Sequence, residues 1–516
     1  MTSFVLRIRQ AYPFFMKSSW RQIHCWIPIR ASLLNEIEAD MTSPSEELHW
    51  DPETVRKNAY KAVDWVVDYL SGVESRRVYS DAEPGSIFES LPAAPPEEGE
   101  DFDSILKDMD ELVMPGLTHW QHPSWFAFFN ANTSGPSLAA DILSSGLAVQ
   151  GMLWQTSPAC TEVETRMMDW LLDLLGLPQE FHSSGAGGGV IQDTASSATL
   201  CALIAAREKV SGFAVDQDGV TEKMTVYASG QTHSSIEKAV RIAGLGSRQF
   251  RQVATDADLR LDPADLDRQI TEDRAQGQIP TMVVATVGTT ATTAVDSVSE
   301  IAEVCRRHDV WLHVDSAHAG TAAIVPEMRW IHDGVEDADS FTFNPHKWMF
   351  VGFDCNAFWV KDRQVLVQAL SVLPEYLRNE ATESGKVIDY RDWHIPLGRR
   401  FRALKLWFVM RSYGTEGLRQ LIDEHLQWAR WFEGQVSEDP QWEVTHRRTM
   451  NLVCIAHKDG CDRTEAIAKA LNSEGQISVT PTTVEGRRII RFCFGGTQTR
   501  MEHVEGAWEA LQRAAR

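Results

Sequence analysis

Three short runs of the chain, MTVYAS (224–229), TMVVATVG (281–288) and VWLHVDSA (310–317), are rich in apolar and β-branched residues and do not alternate cleanly with polar ones. A strand of that kind has to be covered on both faces. Stretches with helical spacing lie between and around the runs, at 194–209, 234–243, 263–270 and 297–308. Strand, helix and strand in succession predict an α/β fold with a mostly parallel central sheet. Ligands of such sheets sit beyond the carboxyl ends of the strands. Chemistry is therefore expected just after each run.

A length of 516 residues calls for two or three structural units. Helical spacing begins near Asp51, with Ala59, Val63, Val66, Val67 and Leu70 on one face. The acidic, proline-rich LPAAPPEEGEDFDS (91–104) reads as a connector, and ILKDMDELVMPG as a helix stopped by Pro115-Gly116. HWQHPSWFAFFN (119–130) is either an aromatic packing cluster or one wall of a pocket. The stretch 361–392 turns polar toward its middle and reads as a long loop. Near the end, TMNLVCIAH and RRIIRFCFGG read as strands, separated by the helix RTEAIAKALNSEG and followed by a last helix near 501–515. That is a small α/β unit of its own.

A net charge of −23 speaks against nucleic acid and anionic membranes as partners, because both reward basic patches. The eight cysteines include no CxxC pair, so neither a disulfide framework nor a zinc site is expected, and a reducing, cytoplasmic location is. No apolar stretch approaches the roughly 20 residues of a membrane helix. The first 35 residues carry Arg7, Arg9, Lys17, Arg21 and Arg30 and no acid before Glu36. They read as a transit peptide, a disordered extension, or the product of a start upstream of Met41. Residues 1–46 are set apart from the fold for that reason.

Four features fall at strand ends or turns. GAGGGVIQDTASSATL (185–200) opens a helix at Thr194-Ala195-Ser196. Val190 stands where a dinucleotide fingerprint needs its third glycine. Backbone N–H groups and hydroxyls at a helix start suit a phosphate, and the plain alternative is a helix cap with a glycine entry. Asp315 ends an apolar strand in LHVDSAHAG, where a carboxylate needs a cation. His233, in SGQTHSSIEKA, follows a strand and is either structural or functional. Lys347, in FNPHKWMF, is surrounded by large apolar residues. It is either a core residue whose head reaches water or a desolvated amine nucleophile.

One ligand accounts for all four. Pyridoxal 5′-phosphate has an aldehyde for a lysine, a ring nitrogen for a carboxylate and a phosphate for a helix terminus.

With these residues in view, the chain resembles the group II pyridoxal-phosphate decarboxylases of the aromatic L-amino acid decarboxylase family. The likeness runs from about Trp50 to the end. It covers AEPG (82–85), MPGLTHWQHP, SPACTEVETRMMDWL, THSSIEKA, VATVGTT, HVDSAHAG, NPHKW, FDCNAFWVKD and IPLGRRFRALKLW. The resemblance implies a fold-type I (aspartate aminotransferase-like) scaffold. It also implies a helical N-terminal segment (47–134), a large cofactor domain (135–404) and a small C-terminal domain (405–516). It implies a homodimer with active sites at the interface, and no metal.

Residue by residue, the resemblance makes Lys347 the Schiff-base lysine and Asp315 the partner of the ring nitrogen. Ala317 would lie beneath the ring and His233 on its other face. Thr194, Ala195 and Ser196 would bind phosphate, with Thr290, Asn344 and His346 as further cofactor neighbours. Tyr376 would assist protonation at Cα, from a loop that closes over the neighbouring subunit. Relatives with Phe there tend toward aldehydes, so Tyr376 together with His233 points to amines. Trp120, Phe128, Phe129 and Gly398 match pocket positions that suit an aromatic side chain. Asn130, Asp193-Thr194 and His318 depart from the usual pattern, which leaves ring preference open.

Three functions follow. The leading one is decarboxylation of an aromatic L-amino acid (tryptophan, 5-hydroxytryptophan, DOPA, tyrosine or phenylalanine) to its amine. The others are an aromatic aldehyde synthase on the same scaffold and a non-catalytic protein that keeps the cofactor.

Overall fold

A computed structural model describes residues 48–372 and 387–516. The N-terminal extension and Tyr376 lie outside the described residues. The described residues fall into two units that divide between Asp68 and Tyr69. The first contributes most of helix α1 (Pro52–Gly72), in line with the expected start near Asp51. The Asp51 side chain accepts the N–H groups of Glu53 and Thr54 at 2.8 and 3.1 Å, and Pro52 follows it where a helix needs no N–H.

In the second unit, Asp101 caps α2 (Phe102–Asp108) by accepting from the Ser104 N–H. The helix then runs through a wider turn (Met109–Val113) to Pro115-Gly116, where the sequence stops it. Two further helices, α3 (Gly135–Leu147) and α4 (Pro158–Leu175), each start from a serine cap followed closely by proline.

The large sheet has seven strands: β1 (Gly188–Gln192), β2 (Met224–Ser229), β3 (Phe250–Val253), β4 (Ile279–Thr286), β5 (Trp311–Asp315), β6 (Ser340–Phe343) and β7 (Asn356–Val360). Their spatial order is β1-β7-β6-β5-β4-β2-β3. All pairings from β6 to β3 are parallel, and β7 is antiparallel to both neighbours. Two direction reversals cancel, so β1 ends at the same edge of the sheet as β6.

Helices α5 (Ala195–Ser211), α6 (Ser235–Ile242), α7 (Pro263–Ala275) and α8 (Val298–His308) supply the cover. Alternate residues of β4 belong to different cores. Val283 and Ala285 join α4, α7 and α8, whereas Met282 and Val284 join α5 and α6. Each fully buried aliphatic side chain there contributes roughly 1.5–3 kcal/mol, which is why the runs tolerate no polar alternation.

Two expected strands end early. The runs 281–288 and 310–317 stop at Thr286 and Asp315. Oδ1 of Asp315 turns back to accept the Ala317 N–H at 3.0 Å, a side-chain turn that competes with the ladder. The glycine run is also used differently from the expectation, because Gly188 and Gly189 lie in β1. A Cβ at Gly187 would run into the Glu180 carbonyl, and one at Gly189 would meet Met168 and Trp359. These glycines allow close packing, and only the helix start beyond them is free for an anion.

A tiny helix, α9 (Pro345–Trp348), follows β6, and the long α10 (Arg402–Glu438) leads to the second sheet. Gly414, at φ 65°, joins the two halves of α10. The second sheet contains β8 (Trp442–Val444), β9 (Leu452–His457), β10 (Thr480–Val484) and β11 (Arg487–Cys493), in the order β10-β11-β9-β8, antiparallel throughout. Helices α11 (Cys461–Glu474) and α12 (Met501–Ala514) complete it around Phe432, Ile455, Leu471, Phe492 and Leu511. No helix among the described residues is long and apolar enough to cross a membrane.

Candidate active site

Strand ends along one edge of the large sheet place the expected residues. Asp315 closes β5 and is 4% exposed. The segment after β6 carries Asn344, His346 and Lys347 on or beside α9. Thr290 lies in the loop after β4, His233 follows β2, and Thr194 stands immediately before α5, just beyond β1. Thr286, the last residue of β4, pairs in register with Asp315, and its Oγ1 lies 2.9 Å from Oγ1 of Thr232, next to His233.

Backbone bonds lock these segments together. The Asn344 N–H donates to the Ala317 carbonyl at 2.9 Å, and the Lys347 N–H to the Asn344 carbonyl at 3.0 Å. Nδ2 of Asn132 donates to the carbonyls of Lys347 and Gly495, at 2.9 and 2.7 Å. Asn344 accepts from Asn356 at 2.7 Å, and the His346 ring accepts the Cys355 N–H at 3.0 Å.

Lys347 is crowded by protein on every side, yet its side chain keeps a partial opening to solvent. Burial lowers its pKa from the ordinary lysine value, and the negative charge of Asp315 opposes the fall. Burial and then the positive charge of Lys347 lower the pKa of His233, although its ring edge opens to solvent; Asp315 acts the other way. Nδ1 of His233 accepts the Ser235 N–H at 3.2 Å, so the neutral ring carries its proton on Nε2. Burial, helped by Lys347, pushes His346 down to about 4.

The aromatic residues separate. Phe129 stacks on His318, with centroids 3.9 Å apart and planes 9° apart, and His318 in turn stacks on Trp348 at 5.1 Å. Nζ of Lys347 lies 5.3 Å from the Phe129 centroid, so this ring walls the site. Phe128 takes a left-handed φ of 56° and goes elsewhere, stacking with the exposed Trp120 over the buried Trp125. Gly398 is also apart from Lys347. It borders a cleft of about 410 Å³ with Ser144, Ala148 and Gln150.

Several neighbours of the site come from the second sheet and were not anticipated. Arg491, on β11, is 4% exposed; its Nε donates to the Ala291 carbonyl at 2.8 Å, and Nη2 has no hydrogen-bond partner among the described residues. Its guanidinium carbon lies 5.3 Å from the Phe129 centroid. Asn451 accepts from His318 at 2.8 Å and donates to the Phe494 carbonyl, which fixes the His318 proton on Nε2. The buried Nδ1 of His318 then has no partner among the described residues, and burial pushes this histidine down to about 3. The one available signal was an arginine inside the apolar RRIIRFCF, on the face of β11 shared with Ile489 and Cys493.

The departures noted in the sequence are packed around the same place. Asn130 is buried beside Cys493, and Oδ1 of Asp193 takes the Thr194 N–H at 2.7 Å.

A profile of the pyridoxal-dependent decarboxylase conserved domain matches residues 84–458. The chain belongs to the pyridoxal-dependent decarboxylase family. Among its relatives, the aromatic-L-amino-acid decarboxylase of Cavia porcellus is 43% identical over 468 residues, 89% of this chain and 97% of its own length. The phenylacetaldehyde synthase of Arabidopsis thaliana is 42% identical over 474 residues, 90% of this chain and 96% of its own. The crystal structure of Oryza sativa TDC with PLP and tryptamine superposes with a TM-score of 0.88 at 40% identity, covering 90% of this chain and 99% of that one. The fold is therefore that of the pyridoxal-phosphate decarboxylases.

The residues present fit the family's cofactor. Thr194 makes no side-chain cap to α5, which leaves the first N–H groups of that helix for a phosphate. Oδ2 of Asp315 has no hydrogen-bond partner among the described residues and is free for a ring N–H⁺.

Proposed function

We propose that this decarboxylase converts an aromatic L-amino acid to the corresponding arylalkylamine and CO₂, with pyridoxal 5′-phosphate as cofactor. One observation carries the reading: a buried carboxylate, an amine of lowered pKa and an uncapped helix N-terminus converge on one sheet edge. The bound cofactor supplies an electron sink for the pair left behind when CO₂ departs.

This chain's residues do the rest. Lys347 offers a neutral amine to the cofactor's aldehyde, because burial disfavours its charged form. Asp315 would face the ring nitrogen and favour its protonated form. Thr194, Ala195 and Ser196 would hold the phosphate through N–H groups and hydroxyls. Asn344 and His346 keep α9 in place, and on the resemblance Ala317, His233 and Thr290 would be the neighbours of the cofactor's ring. Phe129 excludes water from one side, and the unpaired Nη2 of Arg491 adds positive potential for the substrate's carboxylate. We assign the return of a proton to Cα to Tyr376, on the resemblance alone.

We further infer that two copies pair. Ile142, Leu143 and Leu147 of α3 are exposed, as are Ile395 and Leu397 beside Gly398. Exposed apolar side chains of this kind are what a second copy covers. Pairing would also give the cleft at Gly398, with exposed Trp120 and Phe128, a place at a neighbouring site. The seven unpaired cysteines among the described residues support a cytoplasmic setting.

Similarity to an aldehyde synthase keeps that second reading in play. Mass spectrometry of products from the protein, pyridoxal phosphate, oxygen and the five aromatic amino acids separates the cases. Amines alone uphold the proposal, aldehydes with ammonia and peroxide replace it with the synthase, and bound cofactor without product leaves a binding protein. Lys347→Ala abolishes turnover on this reading, and normal turnover in that variant would overturn it.

A further inference from the structure

Asp296 takes no part in the chemistry above, and it is 1% exposed. Each of its carboxylate oxygens accepts one backbone N–H: Oδ1 that of Leu261 and Oδ2 that of Thr286, both at 2.7 Å. Its own N–H donates to the Thr286 carbonyl at 3.1 Å. One side chain thus straps the end of β4 to the turn at 255–261.

The strap lies at a junction. Thr286 is the residue that faces Asp315 across the ladder and touches Thr232, the neighbour of His233. Just beyond it, Val287 bridges to Val295 and closes the loop that carries Thr290 and Ala291. The Ala291 carbonyl in that loop receives Arg491. Four groups assigned to the site therefore share one support.

A carboxylate is the side chain that suits this position. Two N–H donors approach it from two sides, and an amide would turn an NH₂ group toward one of them. Burial pushes Asp296 up to about 7 against the lowering effect of its two donors. The fold buries an ionisable carboxyl here where an apolar residue could have filled the space.

We propose that Asp296 is a positioning residue for the cofactor site, holding the end of β4 so that Asp315, Thr290 and His233 face one another correctly. The proposal rests on the assignment of this site to pyridoxal phosphate.

Full-length wild type and Asp296→Asn, stripped of cofactor, test it. Three quantities are read: the thermal midpoint of the apoprotein, the Kd for pyridoxal phosphate by absorbance titration, and the visible spectrum of the complex. Positioning predicts a folded variant whose Kd rises roughly tenfold, the lower end of what loss of an outer supporting partner costs a bound group, with an altered visible band. A lower thermal midpoint with wild-type Kd and spectrum overturns it, since that is a purely structural residue. If Asp296→Asn does not fold, Thr232→Val cuts the same chain of contacts one step further on. It should shift Kd and spectrum in the same direction, and unchanged values there overturn the proposal. A wild type that binds no pyridoxal phosphate refutes the cofactor assignment itself, a distinct result.

Discussion

Lys347 should react at a lower pH than the other lysines, and the margin can be read as energy. Burial lowers its pKa and the Asp315 charge resists the fall. Each unit of net fall corresponds to about 1.4 kcal/mol and raises the neutral fraction at pH 7 about tenfold. The neutral amine is the form that attacks an aldehyde. Lys107, whose side chain is 69% exposed, is an internal reference. The assay treats apoprotein with formaldehyde and cyanoborohydride across a pH series and measures methylation of each lysine by mass spectrometry. A small aldehyde without a phosphate keeps affinity for the α5 terminus out of the result. Lys347 should reach half-modification at lower pH than Lys107, and Asp315→Asn should move it lower still, because the carboxylate stabilises the ammonium form. Coincident profiles for Lys347 and Lys107 would refute the desolvation argument. An upward movement in Asp315→Asn would refute the sign given to the carboxylate.

The same shift has a consequence for stability. Between the lowered pKa and the ordinary lysine value, the unfolded chain binds more protons than the native one, so this group's contribution rises with pH through that window. Below the window the native state bears the full cost of a buried ammonium, and above it the cost is gone. Urea titrations of apo wild type against Lys347→Met should show the gap between them narrowing as pH rises. A widening gap contradicts the linkage.

Three other perturbations test the scaffold. Oε1 of Glu164 pairs with Nη2 of Arg399 at 2.5 Å and accepts the Ile191 N–H at 2.8 Å, both side chains being almost fully buried. Glu164→Gln should cost about 3–5 kcal/mol in urea unfolding, because it strands a buried guanidinium, and a loss below about 1 kcal/mol would show the pair to be dispensable. Gly187→Ala forces a methyl against the Glu180 and Val360 carbonyls, which are backbone and cannot swing away. It should cost at least ~1–3 kcal/mol, whereas Gly185→Ala, with its nearest neighbour at 3.6 Å, should be close to neutral. Equal midpoints for the two variants would discount the packing role of the glycine run. His318→Phe keeps the stack, loses the bond to Asn451 and removes an unpartnered nitrogen, opposing effects of about 1–3 kcal/mol each. Its stability should therefore stay near wild type, while His318→Ala opens a cavity and should cost about 3 kcal/mol. A large loss in His318→Phe would mean that Nδ1 has a partner after all.

Residues close together in the chain carried most of what could be read in advance. Apolar runs gave the strands β2, β4 and β5, and helical spacing gave their cover, because periodicity depends on neighbours in sequence. Lys347 behind Asn-Pro, Asp315 at a strand end and Thr194 at a helix start are likewise local patterns, and they named the cofactor. Tertiary structure decided what local patterns leave open. Phe128 and Phe129 are adjacent, yet only Phe129 faces Lys347, since a left-handed turn at Phe128 sends its ring to Trp120 and Trp125. Gly187 and Gly189 look like a flexible phosphate loop until Glu180, Met168 and Trp359 close around them. Arg491 and Asn451 reach the site only because the second sheet brings β11 against the loop after β4 and the residue before β9 against the turn after β5. Asp296 reads as an ordinary polar residue before a helix, and its place beneath the site exists only once Leu261 and Thr286 meet around it. Turn and helix chemistry is set within a few residues, whereas the meeting of faces from segments hundreds of residues apart is set by how the layers pack.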